Sequence, residues 1–114
     1  SDVYKRQTKE RLEEKGYSVT LINPRWIKPL DASTITKSSE NSKVVCTFED
    51  HVLYNGFGLS IIELLHDEII NTPVERIGWP DKFIEHGKPE ILRKKHGITS
   101  EAAIGKILPH LETK

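Results

Sequence analysis

Between Val44 and Ile77 the chain spells out a strand, a glycine turn, an amphipathic helix and a second strand, and few architectures accept that order. Val44-Val45-Cys46-Thr47-Phe48 is a short apolar run rich in β-formers, and Val74 to Ile77 is another. Between them Phe57, Ile61, Leu64 and Leu65 recur at i, i+4, i+7 and i+8, the spacing of one helical face. Leu59, Ile62, Ile69 and Ile70 widen that stripe, so the helix is expected to lie on a sheet and to be largely covered. Asn71 and Pro73 end it. Strands that alternate with helices pair in parallel, with the helices packed on both faces of the sheet.

The flanking segments continue the alternation. Thr8 to Lys15 are helix formers that stop at Gly16, and Val19 to Ile22 read as a short buried strand closed by Asn23-Pro24. Asp31 is placed to cap a brief helix, with Leu30 and Ile35 as a hydrophobic staple across its first turn. After Gly78-Trp79-Pro80-Asp81 comes a helix opening at Pro89 and stopping at Gly97. A last helix, capped by Thr99 or Ser100, repeats Ile104, Ile107, Leu108 and Leu111 at helical spacing. The expected fold is therefore α/β, a three-layer α/β/α arrangement around a mostly parallel sheet. At 114 residues there is material for one domain and one core.

Charge narrows the function classes. Lys plus Arg equals Asp plus Glu at 17 each, so no net field draws the chain to nucleic acid or to an anionic membrane. The densest basic cluster, Arg93-Lys94-Lys95-His96, falls at a helix end, where cations complement the dipole. Cys46 is the single cysteine, so no internal disulfide exists and a reducing cytoplasm is the expected setting. No apolar stretch reaches membrane-spanning length, and the N-terminus carries no signal-peptide core.

Few constellations promise chemistry. Asn55-Gly56-Phe57-Gly58 follows a strand and opens a helix, the context of a phosphate-binding loop, but Ile61 stands where the dinucleotide fingerprint needs its third glycine. Free N–H groups at a helix start can still hold an anion, which makes Asn55, Gly56 and Gly58 a candidate anion-binding turn. The plainer reading is a tight turn. Gly58-Leu59-Ser60-Ile61-Ile62 lacks the closing glycine of a nucleophile elbow, and Ser60 would lie inside the helix. His51, His66, His86, His96 and His110 include no pair at the i, i+4 spacing of a helical metal site. Glu49-Asp50-His51 and Glu85-His86 set carboxylates beside imidazoles, but neighbours along a strand point to opposite faces. The residues alone describe a soluble α/β domain without a convincing catalytic or metal site.

Three longer runs carry a resemblance. Val19 to Asp31, with Asn23-Pro24-Arg25-Trp26-Ile27-Lys28-Pro29-Leu30-Asp31, resembles a segment of the 1-deoxy-D-xylulose-5-phosphate synthase family. Thr47-Phe48-Glu49-Asp50-His51 followed by Asn55-Gly56-Phe57-Gly58 resembles a second segment. Both are shared more loosely across the transketolase superfamily. Gly78-Trp79-Pro80-Asp81-Lys82-Phe83-Ile84-Glu85-His86-Gly87 is similar to a third that is far more specific to the synthases. Asp50 and Asn55 stand where the family usually shows Glu and Gly.

The resemblance implies the C-terminal, transketolase-like domain of an enzyme that uses thiamine diphosphate and Mg²⁺ to join pyruvate to D-glyceraldehyde 3-phosphate. CO₂ and 1-deoxy-D-xylulose 5-phosphate are the products, and the latter feeds isoprenoid, thiamine and pyridoxal synthesis. In the family the cofactor groups reside in the first two domains, so no catalytic, cofactor or metal residue is carried onto this chain. The implied role is architectural, within a cytoplasmic homodimer that also contains the missing N-terminal domains. Neither nucleic acid nor membrane is an expected partner. Residues 1–7 match nothing in the family and are expected to be unrelated to it, leaving 8–114 as a partial domain. The family's earlier strands would then be absent, and one of them belongs in the middle of the sheet. Unpaired backbone in a buried sheet costs about 1–3 kcal/mol per group, so marginal stability is expected of the isolated chain. Gly56 and Gly58 would let a helix start close against the sheet. Trp26, Phe57, Trp79 and Phe83 are packing candidates, in the core or between domains. Two alternatives remain: another transketolase-superfamily member, or a free-standing anion-binding module.

Overall fold

A computed structural model describes residues 2–22, 32–52, 57–79, 94 and 99–112. Among the described residues the main elements follow one another as α1 (Asp2–Glu14), α2 (Ala32–Glu40), β1 (Val45–Val52), α3 (Phe57–Asp67), β2 (Val74–Trp79) and α4 (Ser100–Glu112). β1 and β2 pair in parallel, with Val45 opposite Val74 and Phe48 opposite Ile77. The central β1–α3–β2 unit is the one that the periodicity of residues 44–77 requires.

Pleating sorts the two strands onto two cores. Ile77 joins Leu12, Ala103 and Ile107 in one buried cluster, with Cys46 and Phe48 packed against it, so α1 and α4 cover this face. Val45 and Val74 pack instead on Ile35, Ile61 and Leu65, which brings α2 and α3 over the opposite face. Helices on both faces of a parallel sheet are the expected three layers.

Several boundaries differ from the sequence reading. α1 starts at Asp2 rather than Thr8, because it has a neighbour to pack on: Arg11 Nη1 donates to Ser100 Oγ at 2.9 Å, and the Ser100 hydroxyl reaches Gln7 Oε1 at 3.2 Å. The Val19–Ile22 strand does not form. Residues 17–22 run irregularly, Val19 packing on the first core and Leu21 standing 44% exposed. An apolar run becomes a strand only where a partner backbone accepts its hydrogen bonds, and among the described residues the sheet has two strands. α2 runs nine residues, with Ile35 buried as expected, whereas Leu30 and Asp31 lie outside the described residues. So does the Pro89–Gly97 helix, apart from the helical Lys94.

The cap of α4 is Thr99: its Oγ1 accepts from Ala102 N–H at 3.2 Å, while Ser100 is already helical. In the same turn Glu101 is held below the usual carboxylate range by its own backbone N–H and by Arg11. At the other end of α4, His110 Nε2 lies 2.7 Å from Glu75 Oε2 on β2. Among the described residues no helix is long and apolar enough to cross a membrane.

Two helices end in the same hydrogen-bonded motif with different chemistry at its left-handed position. After α1, Tyr17 N–H donates to Leu12 C=O and Gly16 N–H to Glu13 C=O, with Gly16 at φ 93°. After α3, Ile70 N–H donates to Leu65 C=O at 2.8 Å and Ile69 N–H to His66 C=O at 3.1 Å, with Ile69 at φ 58°. A β-branched residue is strained there by roughly 1–2 kcal/mol. Ile69 is also 85% exposed, so its side chain returns little packing. Ile69→Gly is therefore expected to stabilise the chain by about 1 kcal/mol, seen as a raised urea midpoint at unchanged m-value.

Candidate functional site at the strand-to-helix junction

The densest polar cluster lies on the α3 face of the sheet. Thr47 and Glu49 are two apart on β1 and point the same way, and Arg76 lies opposite Thr47 on β2. Just beyond, the register slips: from Phe48 to Val52 the chain takes four steps while β2 takes two, from Ile77 to Trp79. The extra residues on β1 form a bulge that takes in Glu49 itself, where the chain leaves for α3.

Glu49 is the centre of the cluster. Its side chain is 1% exposed, and every described partner is a donor. Arg76 Nε donates to Oε2 and Nη2 to Oε1, both at 3.1 Å, in a two-pronged ion pair. Thr47 Oγ1 donates to Oε2 at 3.0 Å, and Gly58 N–H donates to Oε1 at 2.9 Å. Gly58 is the second residue of α3, so its N–H is one of the four that a helix start leaves without an internal partner. The carboxylate thus supplies the negative charge that the helix N-terminus favours.

Gly58 is required by contact. A Cβ built there would lie 2.5 Å from Glu49 Oε2, 2.6 Å from Arg76 Nε and 2.7 Å from Thr47 Oγ1. The expectation that Gly58 lets a helix start close against the sheet is met, and the atoms it approaches are the ion pair itself.

Of the candidate anion-binding turn, Asn55 and Gly56 lie outside the described residues. The remaining member, Gly58, directs its N–H to a carboxylate of the chain itself. In sequence Glu49 stands beside Asp50 and His51, whereas its working partners are 9 and 27 positions away. The alternation Thr47-x-Glu49 is the visible signal of a shared face; nothing local points to Arg76. Ser60 lies on the exposed side of α3, and Glu85 and His86 fall outside the described residues. Phe57 packs on the α2–α3 core; Trp26 and Phe83 are not among the described residues.

Cys46 faces the opposite core, partly buried. Burial pushes its thiol up to about 12, and the nearby Glu75 adds to the effect while Lys106 opposes it. A thiol that stays protonated is a poor nucleophile. Among the described residues no three His, Cys, Asp or Glu side chains cluster as metal ligands do. Thr47 Oγ1, Gly58 N–H and Arg76 Nε and Nη2 all serve the Glu49 carboxylate.

Residues 5–103 match the family model described as transketolase, C-terminal domain. The chain belongs to that family. It is 53% identical over 104 residues to a protein of Methylacidiphilum infernorum named 1-deoxy-D-xylulose-5-phosphate synthase, covering 89% of this chain and 16% of that protein. A protein of the same name from Acidobacterium capsulatum is 46% identical over 105 residues, covering 92% of this chain and 17% of its own length. Among solved structures the chain resembles one described as a split gene transketolase, inactive beta4 tetramer. That likeness has a TM-score of 0.80 at 26% identity, across 92% of this chain and 34% of the other. The α/β fold is thus that of the transketolase C-terminal domains, and the chain spans about one sixth of the synthases it matches.

Two outcomes follow from the site. In an ordinary helix Gly→Ala stabilises by about 1 kcal/mol, but Gly58→Ala is expected to destabilise by roughly 2–4 kcal/mol through overpacking and a disturbed buried pair. Thermal unfolding by circular dichroism gives the sign. For Cys46, the folded thiol titrates above its ordinary 9.0, so the unfolded chain loses that proton first. The stability this confers is complete below pH 9 and is lost as pH rises toward 12. The urea midpoint should fall more steeply between about pH 8 and 10.5 in the parent sequence than in Cys46→Ala; equal slopes would remove the thiol from the account.

Proposed function

We propose that this chain is the C-terminal domain of a 1-deoxy-D-xylulose-5-phosphate synthase, a transferase that condenses pyruvate with D-glyceraldehyde 3-phosphate and releases CO₂. The observation that carries the reading is 46–53% identity to proteins of that name across about 90% of the chain. Thiamine diphosphate, with Mg²⁺, would supply the electron sink for decarboxylation, held by parts of the enzyme other than the described residues. This domain's own work is architectural. The Glu49–Arg76 pair fastens the start of α3 to the sheet, and α1 and α4 cover the other face. A homodimer in the cytoplasm, serving isoprenoid, thiamine and pyridoxal precursors, is the setting the reading implies.

A second reading has one observation in its favour, the 0.80 TM-score to a split gene transketolase. The two differ in donor substrate. In the full-length enzyme containing this chain, CO₂ release from pyruvate is expected to depend on added D-glyceraldehyde 3-phosphate, and the 114-residue chain alone is expected to release none. Turnover of ketose phosphates without pyruvate consumption would replace the synthase by a transketolase.

A further inference from the structure

We propose that the outward face of α3 and its C-terminal turn is an interaction surface, occupied by another part of the longer polypeptide to which this chain belongs. The proposal rests on the synthase reading for the existence of that polypeptide. Its evidence begins at Ile69. The residue adopts a left-handed conformation that disfavours β-branched side chains, yet it places 85% of its surface in solvent and contributes nothing to either core. The left-handed turn caps α3, but glycine would serve there, and the isoleucine side chain it projects finds no packing in either core. Ile62, on α3 itself, is also exposed, at 37%.

Between and beside these two isoleucines stand Glu63, His66, Asp67 and Glu68, all exposed. None of the three carboxylates takes part in a salt bridge among the described residues, and the patch contains no Lys or Arg. Apolar anchors with an acidic rim are complementary to a shallow apolar pocket flanked by Lys or Arg. The same charge argues against a second copy. A two-fold contact would lay this patch on itself and set carboxylate against carboxylate. A surface of different charge suits it better, and the matched synthases, about six times longer than this chain, have the further length to supply one.

The test uses the full-length enzyme. Ile69→Cys is introduced, with Ser42→Cys, an exposed position before β1, as reference, and alkylation by N-ethylmaleimide is timed under native conditions. The expected result is at least tenfold slower modification of the Ile69→Cys thiol than of the Ser42→Cys thiol, unchanged on hundredfold dilution of the protein. Equal rates would overturn the proposal. Protection that disappears on dilution would assign the face to a second copy and overturn the occupant proposed. The pyruvate assay is run on the same samples. An enzyme without synthase activity but with a protected thiol would refute the synthase reading and leave the surface standing. An active enzyme whose Ile69→Cys thiol reacts freely would do the reverse.

Discussion

One carboxylate governs the geometry of the α3 side. Glu49 is removed from water, and such a charge is tolerated only when hydrogen-bond donors replace its hydration. The donors come from three directions: Thr47 on its own strand, Arg76 on the neighbouring strand and the N–H of Gly58 at the start of α3. Parallel pairing of β1 and β2, the approach of α3 to the sheet and the absence of a side chain at position 58 are therefore one constraint. Moving any of them would leave a buried charge partly unsatisfied. The apolar cores beneath α2–α3 and α1–α4 supply the bulk of the burial, and the ion pair fixes where the helix begins.

Much of this is legible in the sequence, for reasons that differ by element. The period of Phe57, Ile61, Leu64 and Leu65 locates α3 because amphipathicity is a local property of one helix. Gly16 announces the end of α1 because its left-handed conformation favours glycine. Alternation around β1 is readable in principle, since Cys46 and Phe48 go to one core while Thr47 and Glu49 face the other. The run Val19–Ile22 misleads because apolar residues carry no information about whether a partner backbone is present. The part of α1 before Thr8 is hidden for a related reason: Gln7 meets the Ser100 hydroxyl across about ninety residues. Arg76 cannot be picked out as the partner of Glu49 because only strand register brings the two together.

Function is legible in a different way. Neither spacing nor chemistry suggests an active site, and the structure places the Glu49 carboxylate in a closed network of the chain's own donors. What identifies the family is the match of residues 5–103 to its model, in keeping with the resemblance of three segments. The segment from Gly78 to Gly87 lies mostly beyond the described residues, so its resemblance is a matter of sequence and not of the described geometry. The most informative of the described residues are those that fix helices to the sheet.

The central claim is that Glu49 and Arg76 act as a unit. A double-mutant cycle with Glu49→Gln, Arg76→Gln and the double substitution, read by urea denaturation, tests it directly. The account predicts that the double variant loses less stability than the two single losses combined, with a coupling of about 1–3 kcal/mol. Losses that add to within about 0.5 kcal/mol would contradict it, and the position of α3 would have to be attributed to apolar packing alone.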